Sequence, residues 1–430
     1  MSAAFWYAVC YEAEGVCETP FRSGNQENDP ESILRTRDGR PFLQGTSLAG
    51  ALRQWVEETL PDKAVPLFGS QENGGSLVVS DLVFEPNAAE GVRPRLRIDS
   101  KMGAADDGGK FDMAYVQRGS RFHFELVWLG NNAVSPELSA IEAMLSALHF
   151  GHIRLGAQKT NGFGRVSLSV TKTLYDMKNP AHRKCWMENR SSGEKNTLSL
   201  SEPAASGRVT FVVEGMAENL LVKSAVAEHR GNSSEMKNLM EGNSPVLPGS
   251  SVKGAVRSRC EKIAPLLGIS KDRTDSLFGR GIDRNDGKSD DNGVSGNVYF
   301  EDVYLDNAVE SPIARIHINR FTGGVMRKGL FYESPLTRSI RLQITVPAER
   351  KDGCLLVLYA LRDLGLGLYN LGSGGSVGRG FLHVDSITVQ GPDNQKSCLR
   401  FQNRELVKTE DETGLLAGWQ KAVGGMNHEM

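Results

Sequence analysis

The residues best placed to do chemistry come in pairs. Gly249, Ser250, Ser251, Val252, Lys253 and Gly254 follow Pro248 at what reads as a helix start. Free backbone N–H groups and the helix dipole favour an anion there. Ser250 and Ser251 add hydroxyl donors, and Lys253 and Arg257 add charge one turn apart. Gly45, Thr46, Ser47 and Arg53 stand in the same relation 204 residues earlier. Such a site could seat a phosphate, although the same residues could form a plain N-cap with solvated cations. Two glycine-rich stretches form the second pair. One runs from Gly156 through Lys159 to Arg165, the other from Gly372 through Gly374, Gly375 and Ser376 to Arg379. Glycine permits positive φ and lets backbone amides approach a phosphate. Neither stretch is a Walker loop or a dinucleotide fingerprint, because each leads from a helix into a strand. A tight structural turn would use the same residues. The third feature is the segment from Arg315 to Tyr332. It carries Arg315, His317, Arg320, Arg327 and Lys328 with no acid, around Phe321, Met326 and Phe331. That mixture suits a hairpin that wedges into stacked bases and holds phosphates. Its counterpart, from Arg93 to Tyr115, has Arg93, Arg95, Arg97, Lys101 and Lys110 but also Asp99, Asp106, Asp107 and Asp112.

The elements that must position these groups also occur twice. Leu67-Phe68-Gly69 returns as Leu277-Phe278-Gly279, Ser80-Asp81-Leu82 as Glu301-Asp302-Val303, and Arg97-Ile98-Asp99 as His317-Ile318-Asn319. Landmarks that recur in one order make an internal repeat. In the first copy Leu48, Leu52, Trp55, Val56 and Leu60 share a helical face, and Ile141, Met144, Leu145 and Leu148 form a second amphipathic helix. Phe122 to Trp128 alternates as a strand, and Ile340 to Val346 answers it in the second copy. Each copy reads strand, helix, strands, helix, strand. That order predicts an α+β fold of two tandem ferredoxin-like domains, over residues 1–175 and 207–391. Residues 176–206 read as a linker, 280–296 as a polar insert, and 392–430 as a C-terminal tail with one helix from Leu415 to Val423.

Composition narrows the classes. A formal charge of −2 argues against a generally basic nucleic-acid binder, while leaving room for a local basic groove. Six cysteines without a CxxC pair argue against structural zinc and against a disulfide scaffold, and fit a reducing cytoplasm. No run approaches the roughly 20 apolar residues of a membrane span. The apolar stretch from Phe5 to Tyr11 lacks a basic leader and reads as a first strand.

Taken together, the Pro-Gly-Ser-Ser-Val-Lys-Gly segment, the repeated Leu-Phe-Gly followed by a strand ending in an acid, the Arg315 to Gly324 segment and the twin glycine-rich loops resemble the RAMP superfamily of CRISPR-associated proteins. The resemblance is specifically to backbone subunits of type III effector complexes, and the two copies in one chain resemble the fused backbone proteins of the type III-D branch. The resemblance implies a modified RNA-recognition fold with thumb hairpin insertions that polymerises along a guide RNA. The glycine-led helices and loops would hold guide phosphates. Thumb hairpins, with Met102 and Met326 as their inserted residues, would kink the guide–target duplex. Other subunits of the effector complex would be partners, and a membrane would not.

Active members of that family cut target RNA with an aspartate 16 residues before the motif glycine. Counted back from Gly45 this is Asp29; counted back from Gly249 it is Ser233, with Glu235 close by. The resemblance therefore implies a metal-dependent endoribonuclease whose first copy cuts. Asp29 would bind Mg²⁺ mostly through water, or position the attacking 2′-hydroxyl. By residue type alone, Asp29 before Pro30 could merely initiate a turn. Two other readings stand beside this one. One is a non-catalytic guide-binding scaffold. The other is a guide-precursor processing enzyme using one of His123, His149, His152, His229, His317 or His383. The acidic run from Asp283 to Asp291 lacks the closing glutamate of a calcium loop.

Overall fold

The computed structural model describes residues 5–24, 31–98, 105–188, 195–203, 207–230, 233–280 and 293–426. Two compact units emerge. Unit 1 comprises Met1–Arg93, Phe111–Lys159 and Phe163–Ala204; unit 2 comprises Pro94–Lys110, Thr160–Gly162 and Ala205–Met430.

The first copy of the repeat opens with β1 (Tyr7–Cys17), β2 (Phe42–Leu43), α1 (Gly45–Thr59), α2 (Pro61–Phe68), β3 (Leu77–Val79) and β4 (Leu82–Phe84). It continues with the hairpin β5 (Glu90–Ile98) and β6 (Ala105–Val116), then β7 (Arg121–Gly130), α3 (Pro136–His149), β8 (Val166–Asp176), α4 (Pro180–Glu188) and β9 (Lys195–Thr197). The sheet order is β2-β4-β7-β1-β8-β9, with β3 also on β7. β1 is central and antiparallel to both neighbours, so β8, β1, β7 and β3/β4 reproduce the ferredoxin-like order. The period-2 pattern of β1 sends Val9, Tyr11 and Ala13 into the core, where they meet Leu48, Leu52 and Val56 of α1 and Ile141, Met144 and Leu145 of α3. Each such fully buried aliphatic side chain contributes about 1.5–3 kcal/mol. Ala8 and Cys10 point the other way, toward Tyr175, Met177 and Trp186 of α4. Residues 180–188 and 195–197, inside the stretch expected as a linker, thus cover one end of the outer face and extend its edge. Elsewhere that face is polar: Glu12 lies opposite Glu125 and pairs with Lys195, and Glu14 lies opposite His123.

The second copy begins with β10 (Arg208–Leu220), β11 (Lys223–Arg230), β12 (Ser233–Asn238), β13 (Met240–Glu241), β14 (Ser244–Leu247), α5 (Gly249–Ile263) and α6 (Lys271–Phe278). β15 (Tyr299–Phe300), β16 (Val303–Tyr304), β17 (Val309–Glu310), β18 (Ile313–Ile318), β19 (Val325–Glu333), β20 (Leu336–Pro347), α7 (Lys351–Gly365) and β21 (Phe381–Gln390) complete it. The order β15-β20-β10-β21 repeats the ferredoxin-like arrangement. Beyond residue 391, where the sequence suggests a tail, β22 (Lys396–Gln402), β23 (Glu405–Glu410) and α8 (Leu415–Met426) continue the sheet and its core. Leu416, Trp419 and Val423 of α8 are buried, and Trp419 packs on Phe211 with ring centroids 6.0 Å apart.

Ion pairs cross-link the helices of unit 2. Asp352 meets Arg273 at 2.7 Å and Arg350 at 3.2 Å. Asp363 meets Arg259 at 2.7 Å and Arg362 at 2.8 Å. Burial alone would raise the Asp352 carboxyl, but the two arginines hold it below the usual carboxylate value.

Candidate nucleic-acid interface

At both glycine-led helix starts an aspartate is already in place. The Gly45 N–H donates to Asp81 Oδ1 at 2.7 Å, and the Gly249 N–H to Asp302 Oδ1 at 2.6 Å. Neither N-cap side chain, Gln44 or Pro248, makes a capping bond. The acid that ends the repeated strand is therefore the cap. It complements the helix dipole from across the fold and reduces the pull of that terminus on a phosphate. The glycines serve close approach: a side chain at Gly249 would collide with the Phe300 carbonyl, and one at Gly45 would stand 2.7 Å from the Val79 carbonyl. Thr46, Ser47 and Ser251 are exposed and Ser250 is half-buried.

The cations that follow differ between the copies. Arg53 pairs with Glu57 one turn on, at 2.7 Å. Arg257 pairs with Glu261 at 2.8 Å and Asp275 at 2.9 Å, and also donates to the Gly279 carbonyl. Lys253 Nζ donates to Thr160 Oγ1 at 3.0 Å within unit 2. Burial, with Arg257 and Arg95 nearby, pushes the Lys253 ammonium down to about 8. An approaching phosphate would repay that desolvation. Lys159 is also held below its ordinary value by burial, with Glu58 acting in the opposite direction.

The glycine-rich loops share one backbone design. Each joins its second helix to its closing strand through a short 3₁₀ turn, Lys159–Asn161 or Gly375–Val377. Each is knitted to the exit of the opening strand. Ala157 N–H donates to the Arg22 carbonyl and Gly164 N–H to Pro20; Ser373 N–H donates to Leu221 and Gly380 N–H to Asn219. Gly164 and Gly380, both at positive φ, press against the carbonyls of Leu155 and Leu371, leaving no room for a side chain. At the second loop Ser376 is exposed and Gly378 faces open space. Arg165 pairs with Glu18 at 2.8 Å, whereas Arg379 is buried against Glu333.

Behind these loops each thumb hairpin is fixed by a different chemistry. In unit 1 the Arg93 guanidinium, 2% exposed, lies 5.3 Å from the Tyr115 ring centroid and 5.0 Å from that of Phe163. In unit 2 the buried Glu333 carboxylate gathers Arg379, Arg315 at 3.4 Å and Lys223 at 3.6 Å. Burial would raise that carboxyl, but the three cations hold it below the ordinary glutamate value. Phe163 and Arg379 occupy the same place, between the last two glycines of their loops.

The second thumb is described to its tip. β18 and β19 pair from Ile313↔Glu333 to Ile318↔Val325. Asn319 Oδ1 accepts from the Phe321 and Thr322 amides, forming an Asx turn that presents Phe321 at 99% exposure. Met326 is half exposed, and Arg320 and Arg327 are exposed. Lys328 lies on β19. Phe321 is thus the foremost apolar residue, one the sequence contained but did not rank above Met326. Its signal was the Asn-Arg-Phe-Thr-Gly-Gly turn. Met102 and Asp29 lie outside the described residues. A cavity of about 320 Å³ near residue 31 is lined by Ser32, Ile33, Arg35, Glu90, Gly91 and Ala114 among others.

In the second copy, the segment corresponding to the Asp29 loop is built into a sheet. β12 runs parallel to β19, with Ser234 opposite Phe331 and Glu235 opposite Tyr332, and β11 flanks it. Several histidines have local partners. The Leu168 N–H donates to His149 Nδ1 at 3.0 Å, His383 Nε2 lies 2.9 Å from Glu218, and His317 stacks on Phe331. Among the described residues no three His, Cys, Asp or Glu side chains are placed to hold a metal ion together.

Two ferredoxin-like palms, each with a thumb hairpin and a glycine-rich loop, define the class of fold. The family model for the RAMP superfamily matches residues 16–167 and 235–383, one stretch in each copy. The chain belongs to the RAMP superfamily, whose members include CRISPR-associated RNA-binding subunits and some endoribonucleases. No curated protein matches it. No helix among the described residues is long and apolar enough to cross a membrane.

Proposed function

We propose that this chain is a backbone subunit of a type III CRISPR RNA-guided complex, binding guide RNA and cutting complementary target RNA through its first copy. The carrying observation is the second thumb, whose hairpin, free of acids from Arg315 to Tyr332, rises from the palm with Phe321 at its tip and Arg320 and Arg327 exposed on its flanks. An exposed aromatic wedge flanked by guanidinium groups suits insertion into a stacked duplex. Asp29 is the catalytic carboxylate of this reading. It positions the attacking 2′-hydroxyl, while thumb-driven distortion of the duplex supplies in-line geometry. A divalent ion would stabilise charge developing at the scissile phosphate. The second copy holds guide RNA without cutting, because its corresponding segment is committed to β12 and offers Glu235 in place of an aspartate.

The test is cutting of guide-complementary RNA by the assembled complex. Specific cuts are expected with Mg²⁺ and none with EDTA. Intact target in both, with guide and target still bound, would leave the chain a scaffold.

A further inference from the structure

We propose that Lys223 and Arg315, held by Glu333 at the base of the second thumb, form a seat for one RNA backbone phosphate. The inference rests on the RNA-binding reading above and assigns to it a site outside the helix starts, the loops and the thumb tip.

The argument begins with charge. Glu333 is 4% exposed and is the carboxylate that Lys223, Arg315 and Arg379 share, so the cluster carries two positive charges in excess. Arg379, 7% exposed, spends itself on Glu333. Lys223 and Arg315 are different: their side chains are 40% and 34% exposed, and their contacts with Glu333 are long, at 3.6 and 3.4 Å. An ammonium carries three donors and a guanidinium five, so one long contact to a carboxylate leaves most of them for an incoming anion. Glu333 fixes the direction of both cations and limits their mutual repulsion.

Geometry then places backbone beside them. Lys223 follows Leu221 by two residues, and the Leu221 carbonyl accepts from the Ser373 N–H of the glycine-rich loop. Along that loop Gly378, at φ +82°, has nothing within 4 Å of where a Cβ would stand. The loop backbone there is open to a phosphate, and in the proposed seat the two cations would meet it from the strands. The remainder of the cluster is rigid. Asn238 accepts from the Val222 N–H at 3.1 Å and donates to the Ser334 carbonyl at 2.6 Å, tying the start of β11, which carries Lys223, to the end of β19, which carries Glu333, through one buried side chain. Four chain segments, at residues 222–223, 238, 315 and 333–334, thus meet at a pre-organised cationic seat, with the thumb rising from it.

The experiment measures binding of the full chain to a single-stranded oligouridylate across a salt series. One lost phosphate contact lowers the slope of log affinity against log salt by about 0.7. The Lys223→Gln/Arg315→Gln variant should lose about that much slope and bind roughly tenfold more weakly near physiological salt. Lys223→Arg should retain the slope. Glu333 keeps Arg379 in the double variant, so the fold should persist, which a thermal melt checks. A weaker affinity with an unchanged slope, or no change at all, would overturn the seat and assign these cations to packing. A wild-type chain that fails to bind would overturn the RNA-binding reading as well.

Discussion

The two thumb bases solve one mechanical problem with opposite chemistry. Each hairpin must be held against its palm where the glycine-rich loop passes. Unit 1 does so with a guanidinium between two aromatic rings, Arg93 with Tyr115 and Phe163. Unit 2 does so with a carboxylate among cations, Glu333 with Arg379, Arg315 and Lys223. The loop backbone is the same in both; the side chain between its last two glycines decides which chemistry is used. Cation–ring contacts respond less to protonation than a carboxylate's ion pairs do. An ionic anchor brings extra cations to the surface. The copy that lacks an aspartate 16 residues before its motif glycine is the one whose thumb base carries this excess charge, which fits a unit devoted to holding RNA.

The sharpest way to break this comparison is to remove the shared carboxylate. Glu333→Leu leaves buried Arg379 without its partner and should destabilise unit 2 by about 3–5 kcal/mol in urea unfolding. Arg93→Met keeps an apolar stem between the rings and should cost unit 1 about 0.5–2 kcal/mol. If the two anchors are equivalent in design, Glu333→Tyr/Arg379→Phe should recover much of the loss. Similar losses from Glu333→Leu and Arg93→Met would erase the distinction.

Acid sharpens it further. Glu333 and Asp352 both have folded-state values below their unfolded ones. Their stabilisation is complete above the unfolded values, about 4, and is lost as pH falls through the folded ones. Hydrogen exchange between pH 5 and pH 3 should therefore accelerate in α6 and α7 before α1 and α3. Simultaneous acceleration would show that these ion pairs do not set the acid response.

The smallest effect belongs to a feature the copies share. Asp81→Ala and Asp302→Ala should each cost about 1 kcal/mol, the value of a lost helix cap. If the acids were there for RNA instead, both variants would keep their stability and change only binding.

Much of this architecture was legible in the sequence because its signals are local and occur twice. Leu48, Leu52 and Val56 gave α1, alternation gave β7 and β20, and the acid-free segment from Arg315 to Tyr332 gave the second thumb. The recurring acid of Ser80-Asp81-Leu82 and Glu301-Asp302-Val303 was also visible. Its capping role was not, since Asp81 and Gly45 lie 36 residues apart and meet only when the sheet closes against the helix. The cluster around Glu333 escaped for the same reason: Lys223 and Arg379 reach it from distant segments, and Arg315 from the facing strand of its hairpin. The order beyond residue 391 was hidden by polar strands at a sheet edge, where β23 is mostly exposed and carries little hydrophobic pattern. At the candidate site, the resemblance supplied both Asp29, through the family's 16-residue spacing, and its role, while side-chain chemistry alone left a turn residue as the simpler reading.

The most direct measurement compares Asp29→Ala with Glu235→Ala in the assembled, guide-loaded complex with Mg²⁺ and complementary RNA. The account requires that Asp29→Ala abolish a specific cut while target binding persists, and that Glu235→Ala leave every cut in place. Cutting that survives Asp29→Ala, or disappears with Glu235→Ala, would contradict the division of labour between the copies.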